Sequence, residues 1–293
     1  MRKLLIVTFL LVAATALCRA AGPVPAPTDF EAKLEWRNMD RGAQLATANL
    51  ELFGRKQFIS VLRYPARKFH TDIVNDPGLN NPRKPEYPKA VNPDSPAATT
   101  SGFAARYGAY AAINGSFFSM STLYPAGYVL DDGEEEGNVS GTDLEVIDGV
   151  LAIRGHRLDI FRADTSSYAH KMKGYRDAFA AGPVLIEKGN VLGGWPETSF
   201  FTGHHQRTVV GTKGKWVYFI VIDGRFQEYA SGMTMDETAA VAQMFGLENA
   251  INLDGGGSST LWTASDGVVS HPGDNRKWDH EGERTVCNAV IIK

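Results

Sequence analysis

The run Ile251-Asn252-Leu253-Asp254-Gly255-Gly256-Gly257-Ser258-Ser259-Thr260-Leu261-Trp262 sets one carboxylate and three consecutive glycines between two apolar segments. Side chains alternate faces along an extended strand, so Ile251 and Leu253 are expected to enter the core while Asn252 and Asp254 share the opposite face. Glycines let a ligand approach the backbone unhindered, and consecutive N–H groups can form an anion-binding concavity. Asp-Gly alone signals only a hairpin turn, and it occurs five times in this chain. The third glycine and the hydroxyls of Ser258, Ser259 and Thr260 exceed what a hairpin needs. This stretch is therefore the leading candidate for a reactive site.

Two other apolar runs end in a similar way: Ala111-Ala112-Ile113-Asn114-Gly115 and Phe219-Ile220-Val221-Ile222-Asp223-Gly224-Arg225. Strand ends that deliver polar groups to one rim are where a site can be built on a rigid sheet. Asn114 leads into Ser116-Phe117-Phe118, an aromatic platform for a sugar face, and Asp223 leads into Arg225, whose planar fork matches phosphate. Arg207, after His204-His205-Gln206, and Arg284, in Glu283-Arg284-Thr285, add cations near apolar runs, although surface ion pairing is the ordinary role of such arginines.

The frame for these groups is strand-rich. Trp216-Val217-Tyr218-Phe219-Ile220-Val221-Ile222 is apolar on both faces, as a central strand must be. Gln57 to Tyr64 reads as a strand of a leading hairpin or sheet edge, and Val146 to Ile153 and Val184 to Ile186 as further strands. Thr99 to Tyr110 suggests a short helix. A clearer one runs from Met235 to Phe245, where Thr234 and Glu237 form a capping box and Gly246 supplies the stop, giving Glu237 a structural use beside any catalytic one. Six of the fourteen prolines fall between Asp76 and Pro96, which makes that stretch a long irregular loop. The expected fold is α+β: a twisted mixed or antiparallel sheet with few helices, in a single catalytic domain.

Arg2 and Lys3 precede an apolar stretch from Leu4 to Leu17, too short to span a bilayer comfortably but suited to a secretory signal cleaved after Ala20. Leu17 is bulkier than the residue lipoprotein signals carry before the cysteine, which disfavours lipid anchoring on Cys18. The expected location is periplasmic or extracellular, with no transmembrane segment. Removing residues 1–20 takes away Arg2, Lys3 and Arg19 and moves the net charge from −3 to −6. No basic stripe offsets that charge, so nucleic acid is not an expected partner. The mature chain keeps only Cys287, and with 43% hydrophobic residues its core rather than a disulfide must stabilise it. That cysteine poverty favours a bacterial exported protein. The acidic run Asp131-Asp132-Gly133-Glu134-Glu135-Glu136 reads as a solvated loop able to attract a cation.

Ala112-Ile113-Asn114-Gly115-Ser116-Phe117-Phe118, Ala181-Gly182-Pro183-Val184-Leu185, Arg207-Thr208, Asp223-Gly224-Arg225, Gly232-Met233-Thr234, Asn252 through Ser259, and Glu283-Arg284 occur in an order and spacing that resemble the phosphodiester glycosidase domain family. That family includes the catalytic domain of the mannose 6-phosphate uncovering enzyme and many bacterial exported members. The resemblance runs from about Thr99 to the C-terminus. It implies a layout of signal peptide (1–20), N-terminal strand segment with the proline-rich loop (21–98) and glycosidase-like domain (99–293). It also implies hydrolysis of a sugar-1-phosphodiester at the C1–O bond, on envelope or host glycoconjugates. The residues suit that chemistry. A phosphomonoester is a weakly basic leaving group, so neutralising its charge matters more than protonating it. Arg207, Arg225, Arg284 and the N–H groups of Gly255, Gly256 and Gly257 could do this, with Ser258, Ser259, Asn114, Phe117 and Phe118 also binding substrate. Asp254 is the first choice for base or nucleophile, and Asp223 or Glu237 the next. His204-His205 before Arg207 and Glu228-Tyr229 after Arg225 depart from the family pattern and would alter the pocket.

No cofactor is required for this chemistry, with room left for a divalent cation. Two alternatives stay open. A metal-dependent phosphodiesterase would use Asp223, Asp254 and His204, His205 or His271, although no spaced ligand cluster is present. A non-catalytic carbohydrate-binding or envelope-remodelling module would need the aromatics but not the arginines and carboxylates.

Overall fold

The all-apolar run Trp216–Ile222 is paired antiparallel along its length with Arg207–Lys213 on one side and Arg55–Pro65 on the other. The structure, a computed structural model, describes residues 30–75, 98–121, 123–139, 146–164 and 166–293. The expected leader and the proline-rich loop lie outside the described residues. Around the central strand an eight-stranded sheet forms in the order Arg37–Asn38, Gln44–Leu52, Arg55–Pro65, Trp216–Ile222, Arg207–Lys213, Asn249–Asn252, Val184–Glu187, Asn190–Val191. Residues 44–65 are thus integral to the sheet that carries Asp223 and Asp254.

The single sheet expected from the sequence is instead three. A second runs Glu134–Val139, Gly127–Asp131, Asp177–Ala181, Gly149–Arg154, Arg157–Arg162, and a third Gly267–Val268, Leu261–Thr263, Ala111–Asn114, Asn288–Ile292, Thr71–Asn75. The pairings within all three are antiparallel. Strands accumulate right-handed twist, so a set this large splits into packed sheets rather than continuing as one. Their inner faces meet in one core, where Leu62, Phe219 and Val221 pack with Leu151 and Phe179 of the second sheet and Ile113 and Val290 of the third. Alternation along Trp216–Ile222 explains why it is apolar throughout: Val217, Phe219 and Val221 enter this core, while Tyr218, Ile220 and Ile222 enter a second cluster with the helix Met235–Met244.

Both expected helices form. Thr99 Oγ1 accepts from Gly102 N at 3.1 Å to start Thr100–Tyr107, and Gly108, at φ 61°, ends it in the left-handed conformation that glycine tolerates. The capping box of Met235–Met244 is complete: Thr234 N donates to Glu237 Oε2 at 3.0 Å and Glu237 N to Thr234 Oγ1 at 3.2 Å. The acidic run is a hairpin rather than a loop, with Gly127–Asp131 turning through Asp132-Gly133 into Glu134–Val139. At its turn Arg176 bridges Asp132, Asp72 and the buried Asp177. Burial is the main cause that pushes the Asp177 carboxyl up to about 6.

Register brings the polar strand ends to one rim: Arg207 faces Ile222, Val209 faces Asn252, and Ala289 faces Asn114. Phe219, whose ring centroid lies 5.3 Å from that of Tyr64, stands in the common core beneath this rim. Phe219→Ala is expected to lower the unfolding free energy in denaturant by about 3–5 kcal/mol. A loss below about 1 kcal/mol would show that the sheets do not depend on that core.

Candidate active site

Asp254 is fixed by its backbone. Its N–H donates to Gly115 O at 3.1 Å, and its carbonyl accepts from Asn114 Nδ2 at 2.7 Å. Asn114 is fully buried, and its Oδ1 accepts from Thr208 Oγ1 at 3.0 Å and from Thr260 N at 3.1 Å. One amide therefore joins the Asp254 turn to the strands Ala111–Asn114 and Arg207–Lys213. Asn252, expected on the face of Asp254, is buried and donates to Gly182 O at 2.8 Å and Leu253 O at 2.9 Å.

The Asp254 carboxyl is pushed up to about 6, first by desolvation and against the pull of Ser258, Arg284 and the Gly255 N–H. Ser258 Oγ sits beside it, buried and without a hydrogen bond of normal geometry. A carboxyl near 6 can exchange protons at neutral pH, which an ordinary surface aspartate does poorly.

The glycines make room chiefly for the protein's own groups. A Cβ on Gly255 would stand 2.7 Å from Gln206 O, and one on Gly256, at φ +59°, 2.9 Å from Arg225 Nη2. On Gly257 it would collide with Asp274 Oδ1 at 1.8 Å and Arg284 Nη2 at 2.4 Å. Gly256 N donates to Gln206 O at 2.9 Å, and Ser258 N and Ser259 N donate back into the turn, each at 3.2 Å. Those three amides are committed, while the Gly255 N–H acts on the Asp254 carboxyl.

The arginines differ in what they can do. Arg225 is exposed against Gly256. Arg284 holds Asp274 through Nε and Nη2, both at 2.7 Å. Arg207 is buried and donates to three carbonyls, Met233 O from Nε at 2.9 Å and Phe200 O and Gly203 O from Nη2 at 2.8 and 3.0 Å. Desolvation pushes it down to about 10. Its guanidinium lies 5.4 Å from the Phe200 ring, which meets the half-buried Phe117 at 5.9 Å. Phe118 packs instead against buried Cys287.

The other two carboxylates have structural partners. Asp223 Oδ2 accepts from His271 N at 2.9 Å and from His271 Nδ1 at 2.8 Å, while Oδ1 has no partner. Burial raises the Asp223 pKa, with His271 pulling against it. The His271 ring stacks on Trp278 at 3.7 Å and 5°. Glu237 caps its helix, pairs with Arg55 and lies 3.5 Å from His204 Nε2. Of the residues of the metal-dependent alternative, Asp223 and His271 meet, whereas His204 meets Glu237 and His205 Nε2 meets Ser199 O at 2.9 Å.

The sequence did not point to Phe200, Gln206, Asp274 or Trp278, and it named His271 beside Asp223 only in the metal-dependent alternative. The available signal was length, because the chain between Gly267–Val268 and Asn288–Ile292 is a long polar connection without a named element. Volume alone is no guide: a cleft of about 660 Å³ lies at the other end of the strands, among Pro65, His156, Lys215 and Trp216.

An antiparallel scaffold presenting a carboxyl with pKa near 6 among guanidinium groups suits hydrolysis of an anionic substrate. The sequence profile of the phosphodiester glycosidase family matches residues 107–293, and the chain belongs to that family, whose members are hydrolases. No curated protein matches it. Among solved structures it is similar to the zebrafish N-acetylglucosamine-1-phosphodiester alpha-N-acetylglucosaminidase catalytic domain auto-inhibited by its pro-peptide, with 17% identity, TM-score 0.64, and 88% of this chain and 87% of that one covered. It is also similar to a hypothetical Synechocystis protein at 14% identity and TM-score 0.60, covering 88% of this chain and 63% of that one. A putative exported protein of Burkholderia pseudomallei follows at 16% identity and TM-score 0.57, covering 81% and 74%. At these identities the likeness concerns the fold.

Glu237→Ala, which removes both the capping-box acceptor and the partner of Arg55, is expected to lower the unfolding free energy by about 0.5–2 kcal/mol while turnover keeps its order of magnitude. A loss of about two orders in turnover at unchanged stability would return Glu237 to the chemistry.

Proposed function

We propose that the protein is an exported hydrolase that cleaves the C1–O bond of a sugar-1-phosphodiester, releasing free sugar and a phosphomonoester. The observation that carries this reading is Asp254, raised to about 6 with Arg284 and Asp274 acting on it, at the head of a glycine turn whose Gly256 lies against Arg225. A carboxylate base and a guanidinium are the two functions a glycosyl phosphate requires, the first for the attacking water, the second for the departing phosphate.

In this reading water attacks the anomeric carbon and gives its proton to Asp254, and the C1–O bond breaks with its electron pair leaving on the phosphate oxygen. Arg225 neutralises the phosphate. Direct attack by Asp254, followed by hydrolysis of the glycosyl ester, uses the same groups. Phe117 and Phe200 offer rings to the sugar face, and Ser258 Oγ, beside the Asp254 carboxyl, accepts a substrate hydroxyl. Asn114 and Arg207 act as positioning residues, since their polar atoms are spent on Asp254 O and on the carbonyls of Met233, Phe200 and Gly203. Glu237 is assigned to its cap and Asp223 to His271. The name of the zebrafish relative specifies an N-acetylglucosamine-1-phosphodiester, so that sugar is the first to test. The apolar leader read from Leu4 to Leu17 supports export to the periplasm or beyond.

As a base, Asp254 must be deprotonated to act, so kcat/KM on such a diester is expected to rise with pH up to about 6 and then level off. Asp254→Asn is expected to cut kcat by about two to four orders of magnitude with little change in stability. A folded Asp254→Asn protein nearly as active as the parent would remove this residue from the reaction. Absence of free sugar from every sugar-1-phosphodiester tried would favour the binding-module alternative.

A further inference from the structure

Next to the glycine turn lies a cavity of about 450 Å³ lined by Arg225, Phe226, Gly273, Asp274 and Arg276. Its walls continue those of the Asp254 site, because Arg225 covers Gly256 and Asp274 covers Gly257. We infer that Arg276 and Arg225 form a two-armed phosphate subsite across this cavity, Arg276 gripping the group that departs as phosphomonoester. The inference deepens the glycosidase reading and rests on it for the identity of that phosphate.

Backbone conformation is the first support. Seven non-glycine residues among those described have positive φ. Four of them, Arg41, Phe53, Asp132 and Lys188, are each followed by a glycine that also has positive φ, the arrangement of a tight turn with two left-handed central residues. The other three, Leu123 at φ 60°, Arg225 at φ 66° and Arg276 at φ 60°, are not followed by glycine. Left-handed backbone at a bulky residue persists where the surroundings impose it, and such residues concentrate at ligand sites. Here two of them face one cavity.

Charge is the second support. Among the described residues neither Arg225 nor Arg276 makes a side-chain ion pair or hydrogen bond, although both line the same cavity. The carboxylate that lines the same cavity, Asp274, has both oxygens taken by Arg284 at 2.7 Å. Two exposed cations thus line one cavity without an ion pair of their own, where a bound anion would meet both. Two guanidinium forks match a phosphate geometrically.

The loop carrying Arg276 is anchored on both sides. Arg276 N donates to Gly273 O at 3.1 Å and Lys277 N to Asn275 Oδ1 at 2.9 Å, while Asn275 Nδ2 holds Asp279 Oδ1 at 2.7 Å. Upstream, His271 is tied to Asp223, and downstream Trp278 stacks on His271 and on Tyr229. This gives the buried Asp223–His271 pair a purpose: it fastens to the sheet rim the loop that carries the second arginine.

The test is calorimetric titration of inorganic phosphate and of phenyl phosphate into the full chain, its Arg276→Ala, Arg276→Gly and Arg276→Lys variants, and Arg67→Ala as an exposed control at the opposite rim. Loss of one charged bidentate contact corresponds to roughly a tenfold to hundredfold weaker Kd. Arg276→Ala is expected to show it, Arg276→Lys to recover only part, and Arg67→Ala to match the parent. Arg276→Gly suits the left-handed backbone, so it separates loss of the guanidinium from loss of folding. On a sugar-1-phosphodiester, Arg276→Gly should lose kcat/KM by a factor similar to its loss of phosphate affinity. Phosphate affinity in Arg276→Gly within twofold of the parent, or no phosphate binding by the parent, overturns the subsite. Phosphate binding that depends on Arg276 in a protein that frees no sugar would keep the subsite and overturn the glycosidase reading.

Discussion

The site depends on one buried side chain, Asn114. Its amide is bonded to three separate segments, donating to Asp254 O and accepting from Thr208 Oγ1 and Thr260 N. A buried hydrogen bond contributes about 0.5–1.5 kcal/mol net, but leaving a buried partner unmet costs about 1–3 kcal/mol, so the unit favours being complete over being partly formed. The clip sits where the eight-stranded sheet meets the sheet containing Ala111–Asn114, and both supply strand ends to the rim. Without it the Asp254 turn would be a flexible glycine loop. With it, the turn is tied to the framework at its carbonyl, its N–H and the residue that follows Ser259.

On that rim the electrostatics divide into closed and open groups. Arg207 and Glu237 are closed, the first on backbone carbonyls and the second on a helix N-terminus and Arg55. Arg284 and Asp274 close on each other, leaving little net charge beside Asp254. Asp254, Arg225 and Arg276 are open, and burial keeps the Asp254 carboxyl able to change protonation near pH 6. The separation has a physical basis: a charge meant for a ligand must not already be neutralised, whereas a charge that positions backbone must be.

Much of the frame was legible in the sequence because it follows from local periodicity. Trp216–Ile222 read as central, the Thr234–Glu237 box as a helix start, and the polar ends at Asn114, Asp223 and Asp254 as strand termini on one rim. What was not legible is long-range packing. Nothing in the spacing of Gly255, Gly256 and Gly257 says that Gln206, Arg225, Asp274 and Arg284 occupy the room they leave. Arg207 and Arg225 read alike as arginines after apolar or turn residues, yet one is buried and the other exposed. The acidic run read as a solvated loop because charge density masks strand pairing, and the partition into three sheets depends on twist accumulated over strands distant in sequence. The polar connection after Gly267–Val268 carried no motif, although it brings His271, Asp274 and Arg276 to the rim.

The central claim is that the bond broken is the one between the anomeric carbon and oxygen. Hydrolysis of N-acetylglucosamine-1-phosphodiester in oxygen-18 water, with both products examined by mass spectrometry, addresses it directly. The account predicts label in the released sugar and unlabelled phosphomonoester. Label in the phosphomonoester with unlabelled sugar would contradict it, since water would then have attacked phosphorus.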